Sequence, residues 1–291
     1  MSTRNFRELL ENRWSEGKFV CVGLDSELGK IPASIRRSEI AETIVQFNRS
    51  IVEATSDLVC AYKPNIAFYE THGEEGWKAL RQTISHIHDT APDVPVILDA
   101  KRGDIGNTNM GYMIGAFGHL EADANTVHPY LGREALKPFL DQKDKGVIVL
   151  CRTSNPGAGE FQDMDVSGDV VPGGYMPLYK FVAYKVRSEW NENGNCAVVV
   201  GATYPGELRE VRELVGDMPI LIPGIGAQGG DVEKTVTAGK DSRGRGMIIN
   251  SSRGIIFASK GADFAEAARR ETMNLHEQIN QHRLVSPQPA V

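Results

Sequence analysis

Two carboxylates and an ammonium group occur within six positions of the segment VILDAKRGDIGNT, residues 96–108. The apolar start of this segment predicts a buried strand, so Asp99, Lys101 and Asp104 follow at its carboxyl end. Because strand side chains alternate between faces, Asp99 and Lys101 should share a face, with Arg102 on the other. A salt bridge at the end of the strand would also explain the pair, so the rest of the chain has to separate the two interpretations.

This grouping suits the donation of a proton to a carbanion. A lysine flanked by carboxylates keeps its proton, because the negative charges favour the ammonium form. It is then a poor base and a poor Schiff-base former, but a good proton donor. The carboxylates would repel an anionic group of the substrate, and this repulsion disappears when the group leaves as CO₂. The cluster therefore predicts decarboxylation of an anionic substrate without a cofactor.

A glycine-rich segment, PGIGAQGGD at residues 223–231, could bind a phosphate group. Its G-x-G-x-x-G spacing is weak evidence alone, because tight turns between strands and helices have the same composition. It also follows the seventh predicted strand, whereas the dinucleotide fingerprint belongs to the first βα unit. In a (β/α)₈ barrel, however, the loops after the seventh and eighth strands form the usual phosphate site. Gln228 in this segment and Arg253, after the eighth strand, are therefore the candidate phosphate ligands.

The elements that would position these residues alternate regularly. Eight short β-branched runs predict strands, and amphipathic helical patterns separate most of them. This alternation predicts a parallel sheet, and eight repeats favour a single (β/α)₈ TIM barrel over an open doubly wound sheet. In a barrel, polar residues at the strand ends share one mouth, whereas an open sheet would spread them along an edge. These residues are Asp25, Lys63, Asp99, Lys101, His128, Ser154, Thr203 and Arg253.

No linker or change of composition divides the chain, so we expect one domain over residues 1–291. The apolar positions Phe6, Leu9, Leu10 and Trp14 predict an amphipathic N-terminal helix that covers the closed end of the barrel. One connection, residues 156–176, is unusually long, rich in glycine and proline, and without a period. Long loops without regular structure in compact domains are typical of lids, and this one leaves from the predicted mouth.

Composition argues against several classes of function. The 32 basic and 38 acidic residues give a net charge of -6, without the basic excess of a nucleic-acid-binding protein. No run approaches the roughly 18 apolar residues of a membrane span, and the N-terminus lacks a signal-peptide core, so we expect a cytoplasmic protein. The cysteines fall in apolar strand-like runs, and neither they nor the histidines have metal-site spacing. His128 is the one histidine placed where chemistry could use it, although a packing role is commoner.

With these motifs in place, the sequence resembles the orotidine 5′-phosphate decarboxylase family over residues 19–255. The resemblance rests on GLDS at Asp25, YKPN at Lys63, LDAKRGDIGNT from Asp99 to Thr108, TSNPGA at Ser154, PGIGAQGG at Gln228, and Arg253. The chain length, the long loop and the wording of LDAKRGDIGNT resemble the longer bacterial subgroup. The resemblance implies a TIM barrel that converts orotidine 5′-phosphate to uridine 5′-phosphate in pyrimidine nucleotide synthesis, with no metal and no cofactor.

The resemblance implies that Lys101 protonates C6 of the pyrimidine, while Asp99 and Asp104 position Lys101 and destabilise the carboxylate of the substrate. It also implies a homodimer in which Asp104 and Thr108 reach into the neighbouring subunit's site. The substrate-binding residues that it implies are Asp25, Lys63 and Thr108 for the ribose, Ser154 for the base, and Gln228 and Arg253 for the phosphate.

Two other functions compete with this one. A magnesium-dependent sugar-phosphate decarboxylase or epimerase of the same barrel superfamily shares D-x-K-x-x-D, but such relatives carry an acidic residue where this chain has Lys63. A catalytically silent barrel that binds a nucleotide as a regulator should have lost Lys101 or an aspartate, and all of them are present.

Overall fold

Eight parallel strands close into a barrel in the computed structural model, which describes residues 4–225 and 230–284. The barrel strands are β1 (Val20–Gly23), β2 (Val59–Lys63), β3 (Ile97–Arg102), β4 (Ala124–Val127), β5 (Gly146–Arg152), β8 (Cys196–Val200), β9 (Ile220–Pro223) and β10 (Met247–Ser251), and a separate hairpin is formed by β6 (Asp165–Ser167) and β7 (Tyr175–Pro177). The sheet runs β2-β1-β10-β9-β8-β5-β4-β3, and parallel bridges from Tyr62 to Val96 and from Asn65 to Asp99 join its two edges. The predicted TIM barrel is confirmed.

Helices connect the strands and surround the barrel. They are α1 (Phe6–Ser15), α2 (Ile40–Thr55), α3 (Ala67–Glu70), α4 (Gly73–Thr90), α5 (Gly106–Met113), α6 (Gly132–Leu140), α7 (Gly159–Gln162), α8 (Leu178–Lys185), α9 (Pro205–Val215), α10 (Val232–Gly239), α11 (Arg253–Ile256) and α12 (Phe264–Arg283). In α2, Ile44, Phe47 and Ile51 are fully buried at helical spacing, so this face of the helix packs into the hydrophobic core. The four cysteines, which fall in apolar strand-like runs of the sequence, are buried and unpaired. No helix in the described part of the chain is long and apolar enough to cross a membrane.

The N-terminal helix α1 covers the amino-terminal end of the barrel, as predicted. The Asn5 side chain caps it by accepting a hydrogen bond from the Glu8 backbone N–H at 3.0 Å. Phe6 packs against the first residue of β5, where only a glycine fits, because a Cβ on Gly146 would lie 2.3 Å from the Phe6 ring. This arrangement leaves the opposite end, where the strands terminate, open for a site.

The long connection after β5 contains regular structure, so the expectation of a loop without elements was wrong. It begins with a 3₁₀ turn at Pro156–Ala158 and helix α7, and it continues into the antiparallel pair β6 and β7. Strands of three residues are too short to show alternation in the sequence, and their pairing depends on a partner eight or more residues away along the chain.

Candidate active site

A pocket of about 530 Å³ opens at the carboxyl ends of the barrel strands. Six of the residues predicted from the sequence line it: Asp25, Lys63, Asp99, Lys101, Ser154 and Arg253. A larger groove, of about 730 Å³, lies outside the barrel among helix side chains such as Arg49 and Arg81. The residues predicted to carry the chemistry converge on the smaller pocket, which is therefore the candidate active site.

The centre of this pocket is a lysine–aspartate–lysine cluster contributed by two neighbouring strands. Lys63, at the end of β2, donates a hydrogen bond to Oδ2 of Asp99 at 2.8 Å. Lys101 donates to the other oxygen, Oδ1, at 2.6 Å. The side chains of Lys63 and Asp99 are 5% and 10% exposed, whereas that of Lys101 is 49% exposed and so faces the open pocket.

The charges in the cluster stabilise one another. Burial alone would raise the pKa of the Asp99 carboxyl, but the ammonium groups of Lys63 and Lys101 outweigh it and hold this pKa well below its usual range. Burial alone would likewise lower the pKa of Lys63, but the charges of Asp99 and Asp25 outweigh it and raise this pKa above its ordinary value. Asp99 is therefore ionised and Lys63 protonated at neutral pH.

The predicted division of faces along β3 is confirmed. Arg102 points away from the cluster, where it pairs with Glu70 at 2.9 Å and lies over the ring of Tyr112. Lys101 has an unusual backbone, with φ of 49°, a left-handed conformation that residues other than glycine rarely adopt. The alternation of side chains along a strand assumes an extended backbone, so it does not predict this conformation.

Two further predicted site residues, Asp104 at the end of D-x-K-x-x-D and Thr108 four positions later, lie outside this pocket. Asp104 is half-buried, and its backbone N–H donates to Asn109 Oδ1 at 3.0 Å. Thr108 is exposed on α5. Neither residue is among those that line the pocket of its own chain.

Polar groups of the pocket extend from the cluster along both sides. One carboxylate oxygen of Asp25 is buried without a hydrogen-bond partner among the described residues, so it is available to a ligand. Arg253 opens α11 directly after β10, and its exposed side chain has no ion-pair partner within the ranges that the structure describes. Gln228 lies outside the described residues.

Two other strand-end residues do not reach the pocket. His128 packs its ring against Gly103, where a Cβ would come within 2.5 Å of Nε2. Its Nδ1 accepts a hydrogen bond from the Tyr130 backbone N–H at 3.3 Å, so the packing role is the observed one. Thr203 is also absent from the pocket lining.

The pocket contains polar residues to which the sequence analysis assigned no role. They are Asn65, Thr126, Thr153, Asn155, Gln162, Asn250, Ser251 and Ser252. Asn65 and Asn155 stand inside the motifs YKPN and TSNPGA, and Asn250 lies three positions before Arg253, so closeness in sequence to a predicted site residue could have indicated them. Thr126 and Gln162 had no such signal, because each reaches the pocket through contacts with distant parts of the chain.

The mouth of this closed (β/α)₈ barrel holds two lysines that are both hydrogen-bonded to one aspartate, and an arginine follows the eighth barrel strand. This combination is typical of barrel enzymes that act on small anionic substrates. The family model described as "Orotidine 5′-phosphate decarboxylase / HUMPS family" matches residues 18–270. The chain belongs to this family.

Individual relatives agree over nearly the whole chain. The orotidine 5′-phosphate decarboxylases of Cellvibrio japonicus and Cupriavidus metallidurans are 48% and 50% identical to it, over 95% and 96% of this chain and 98% of each relative. The solved structure of Leishmania donovani OMP decarboxylase superposes with a TM-score of 0.81 at 38% identity, covering 97% of this chain and 100% of that one.

Proposed function

We propose that this chain decarboxylates orotidine 5′-phosphate to uridine 5′-phosphate, a step of pyrimidine biosynthesis, without a cofactor. The observation that carries the proposal is the cluster of Lys63, Asp99 and Lys101 at the open end of the barrel. The names of the relatives agree with this reaction. The magnesium-dependent alternative is not favoured, because both oxygens of Asp99 are already bonded by ammonium groups where a metal would need them.

In this mechanism the bond from C6 to the carboxylate breaks, CO₂ departs, and the electron pair stays on C6. The Lys101 ammonium then gives a proton to C6, which forms the C–H bond of the product, and the neutral amine recovers a proton from water. Asp99 remains ionised and keeps Lys101 in place. Its negative charge also disfavours the substrate carboxylate, and this repulsion ends when CO₂ leaves.

The remaining pocket residues hold the substrate. Asp25 and Lys63 bind ribose hydroxyls, and Ser154 donates or accepts a hydrogen bond at the pyrimidine. Arg253 grips the phosphate together with Gln228. The orphaned Asp25 oxygen and the unpaired Arg253 guanidinium in the described structure support this assignment.

We further propose a homodimer in which Asp104 and Thr108 complete the neighbour's site. Both residues are close in sequence to exposed apolar side chains just before α5, on α5 and its continuation, and in the loop after β4. These side chains are Ile105, Met110, Tyr112, Ile114, Tyr130 and Leu131, which are 38% to 90% exposed. Exposed apolar side chains at this concentration support burial against a second copy of the chain.

The chain is proposed to form one domain, in which residues 156–176 act as a lid. Gln162 lines the pocket, and its side chain bonds the backbone N–H of Thr153 at 2.9 Å and the Thr153 hydroxyl at 2.8 Å. Arg152 pairs with Asp163 at 3.2 Å. These contacts tie the start of the segment to the end of β5, over the mouth.

The protein is also proposed to be cytoplasmic, because its four free thiols suit a reducing compartment.

The purified protein should convert orotidine 5′-phosphate to uridine 5′-phosphate, followed by the change in ultraviolet absorbance. Turnover should be unchanged after prolonged chelation, because the ammonium groups of Lys63 and Lys101 supply the positive charge at Asp99. Absence of conversion would refute the function. Loss of turnover on chelation, restored by magnesium or zinc, would favour the metal-dependent alternative.

Arg253→Ala should lower kcat/KM by about 10- to 100-fold, because it removes charge-assisted hydrogen bonds worth about 1.5–3 kcal/mol. The affinity for uridine 5′-phosphate should fall as well. The comparison uses the nucleoside orotidine, which lacks the phosphate: wild type and variant should process it at equal rates. Equal efficiency of both proteins on the phosphorylated substrate would remove Arg253 from the phosphate site.

A further inference from the structure

Thr126, on β4, is hydrogen-bonded to both Asp99 and Lys101. Its hydroxyl donates a hydrogen bond to Asp99 Oδ1 at 2.9 Å and accepts one from the Lys101 backbone N–H at 2.9 Å. The direction of each bond is determined by the partner, since an amide can only donate and an ionised carboxylate can only accept. Thr126 is 1% exposed, so bulk water does not compete for these bonds.

An irregularity in the sheet creates this contact. β3 and β4 pair regularly at Leu98 and Asn125 and again at Arg102 and Val127. Between these pairs, three residues of β3 face the single residue Thr126, which is a bulge. The bulge turns the Lys101 N–H away from the backbone of β4 and towards the Thr126 side chain.

The orientation of the Lys101 ammonium depends on two features. One is the left-handed backbone at Lys101, with φ of 49°, and the other is the contact of Nζ with Asp99 Oδ1. The side chain itself is long and half exposed, so little else restrains it. Thr126 is hydrogen-bonded to the groups that set both features, the backbone N–H of Lys101 and Oδ1 of Asp99.

We propose that Thr126 is a positioning residue for the decarboxylation. Its hydroxyl fixes the backbone of Lys101 and the carboxylate of Asp99 relative to each other, so that Nζ of Lys101 points at the reacting carbon. This inference rests on the proposed function. Thr126 acts through Lys101 and Asp99 and transfers no proton itself.

Thr126→Val tests the proposal, because it removes the hydroxyl and keeps the β-branched shape. We expect kcat to fall by about 10- to 100-fold, the scale of a misplaced reactive group, while KM and the Kd of uridine 5′-phosphate stay within about threefold. Thr126→Ser, which restores the hydroxyl, should recover kcat to within about threefold of wild type. The matched control is Thr272→Val, which removes a buried hydroxyl bonded only within α12 and should leave kcat unchanged.

A second readout does not depend on catalysis. Hydrogen exchange of the Lys101 backbone amide, followed by NMR, should accelerate in Thr126→Val and stay slow in Thr126→Ser. If the valine variant does not fold, Thr126→Ala takes its place in both measurements. An inactive wild type would refute the proposed function, while amide exchange would still test the Thr126 contact.

Three results would overturn the proposal. The first is a valine variant with kcat within about twofold of wild type, since a misplaced group should cost far more. The second is a serine variant as slow as the valine variant, which would assign the effect to packing of the methyl group. The third is a parallel loss of kcat and of uridine 5′-phosphate binding, which would indicate general damage to the pocket.

Discussion

Lys101→Ala should remove nearly all decarboxylation while leaving a folded protein that binds uridine 5′-phosphate. A positioned proton donor contributes about 10²- to 10⁴-fold to a rate, so turnover should fall at least to the per cent level. The fold should survive because the buried charge of Asp99 keeps its other partner, Lys63, at 2.8 Å. Product binding should survive because the proposed phosphate and ribose ligands lie elsewhere in the pocket.

The measurements are single-turnover rates with orotidine 5′-phosphate and titration with uridine 5′-phosphate. Lys78→Ala is the matched control, since this lysine pairs with Glu39 on the outer surface at 3.1 Å. The control should have wild-type activity. Retention of more than a few per cent of turnover by Lys101→Ala would reject Lys101 as the proton donor.

The scale of this loss follows from the difficulty of the reaction. The carbanion left at C6 has no conjugated group to take up its charge, so the uncatalysed barrier is high. One preorganised donor supplies about 3–4 kcal/mol, whereas enzymes typically lower barriers by about 8–23 kcal/mol. Lys101 therefore acts together with the charge of Asp99 and with binding energy from the phosphate, which can be used to close the lid.

Mixed dimers should regain activity from two inactive parents. Lys101→Ala and Asp104→Asn, each nearly inactive alone, are unfolded together and refolded as a mixture. If Asp104 serves the neighbour's site, one site of a mixed dimer receives both lesions and the other receives none. About half of randomly paired dimers are mixed in a two-fold assembly, so about a quarter of all sites should be intact.

The control mixture combines Lys101→Ala with Asp99→Asn. These two residues contact each other within one chain at 2.6 Å, so every site in every dimer carries a lesion and no activity should return. Differently tagged subunits show whether mixed dimers have formed. A Lys101 and Asp104 mixture that contains mixed dimers and stays as inactive as its parents would rule out the shared site.

Much of this protein can be read from local patterns. Eight β-branched runs separated by helical periods are sufficient to predict the barrel, because each period depends on residues a few positions apart. The ends of those runs place Asp25, Lys63, Asp99, Lys101, Ser154 and Arg253 at one mouth, and the structure brings all six to one pocket. The alternation of a strand likewise separates Lys101 from Arg102 correctly. The family resemblance follows from the same short motifs.

The tertiary structure decides what depends on contacts between distant residues. Lys63 and Asp99 are 36 positions apart, and closure of the barrel between β2 and β3 brings them to 2.8 Å. The left-handed turn at Lys101 and its contact with Thr126 arise from a mismatch in length between β3 and β4, which neither strand shows alone. The hairpin of β6 and β7 is invisible for the same reason. Sequence periods report which face of an element is buried, whereas register, bulges and side-chain partners are set by the packing of one element against another.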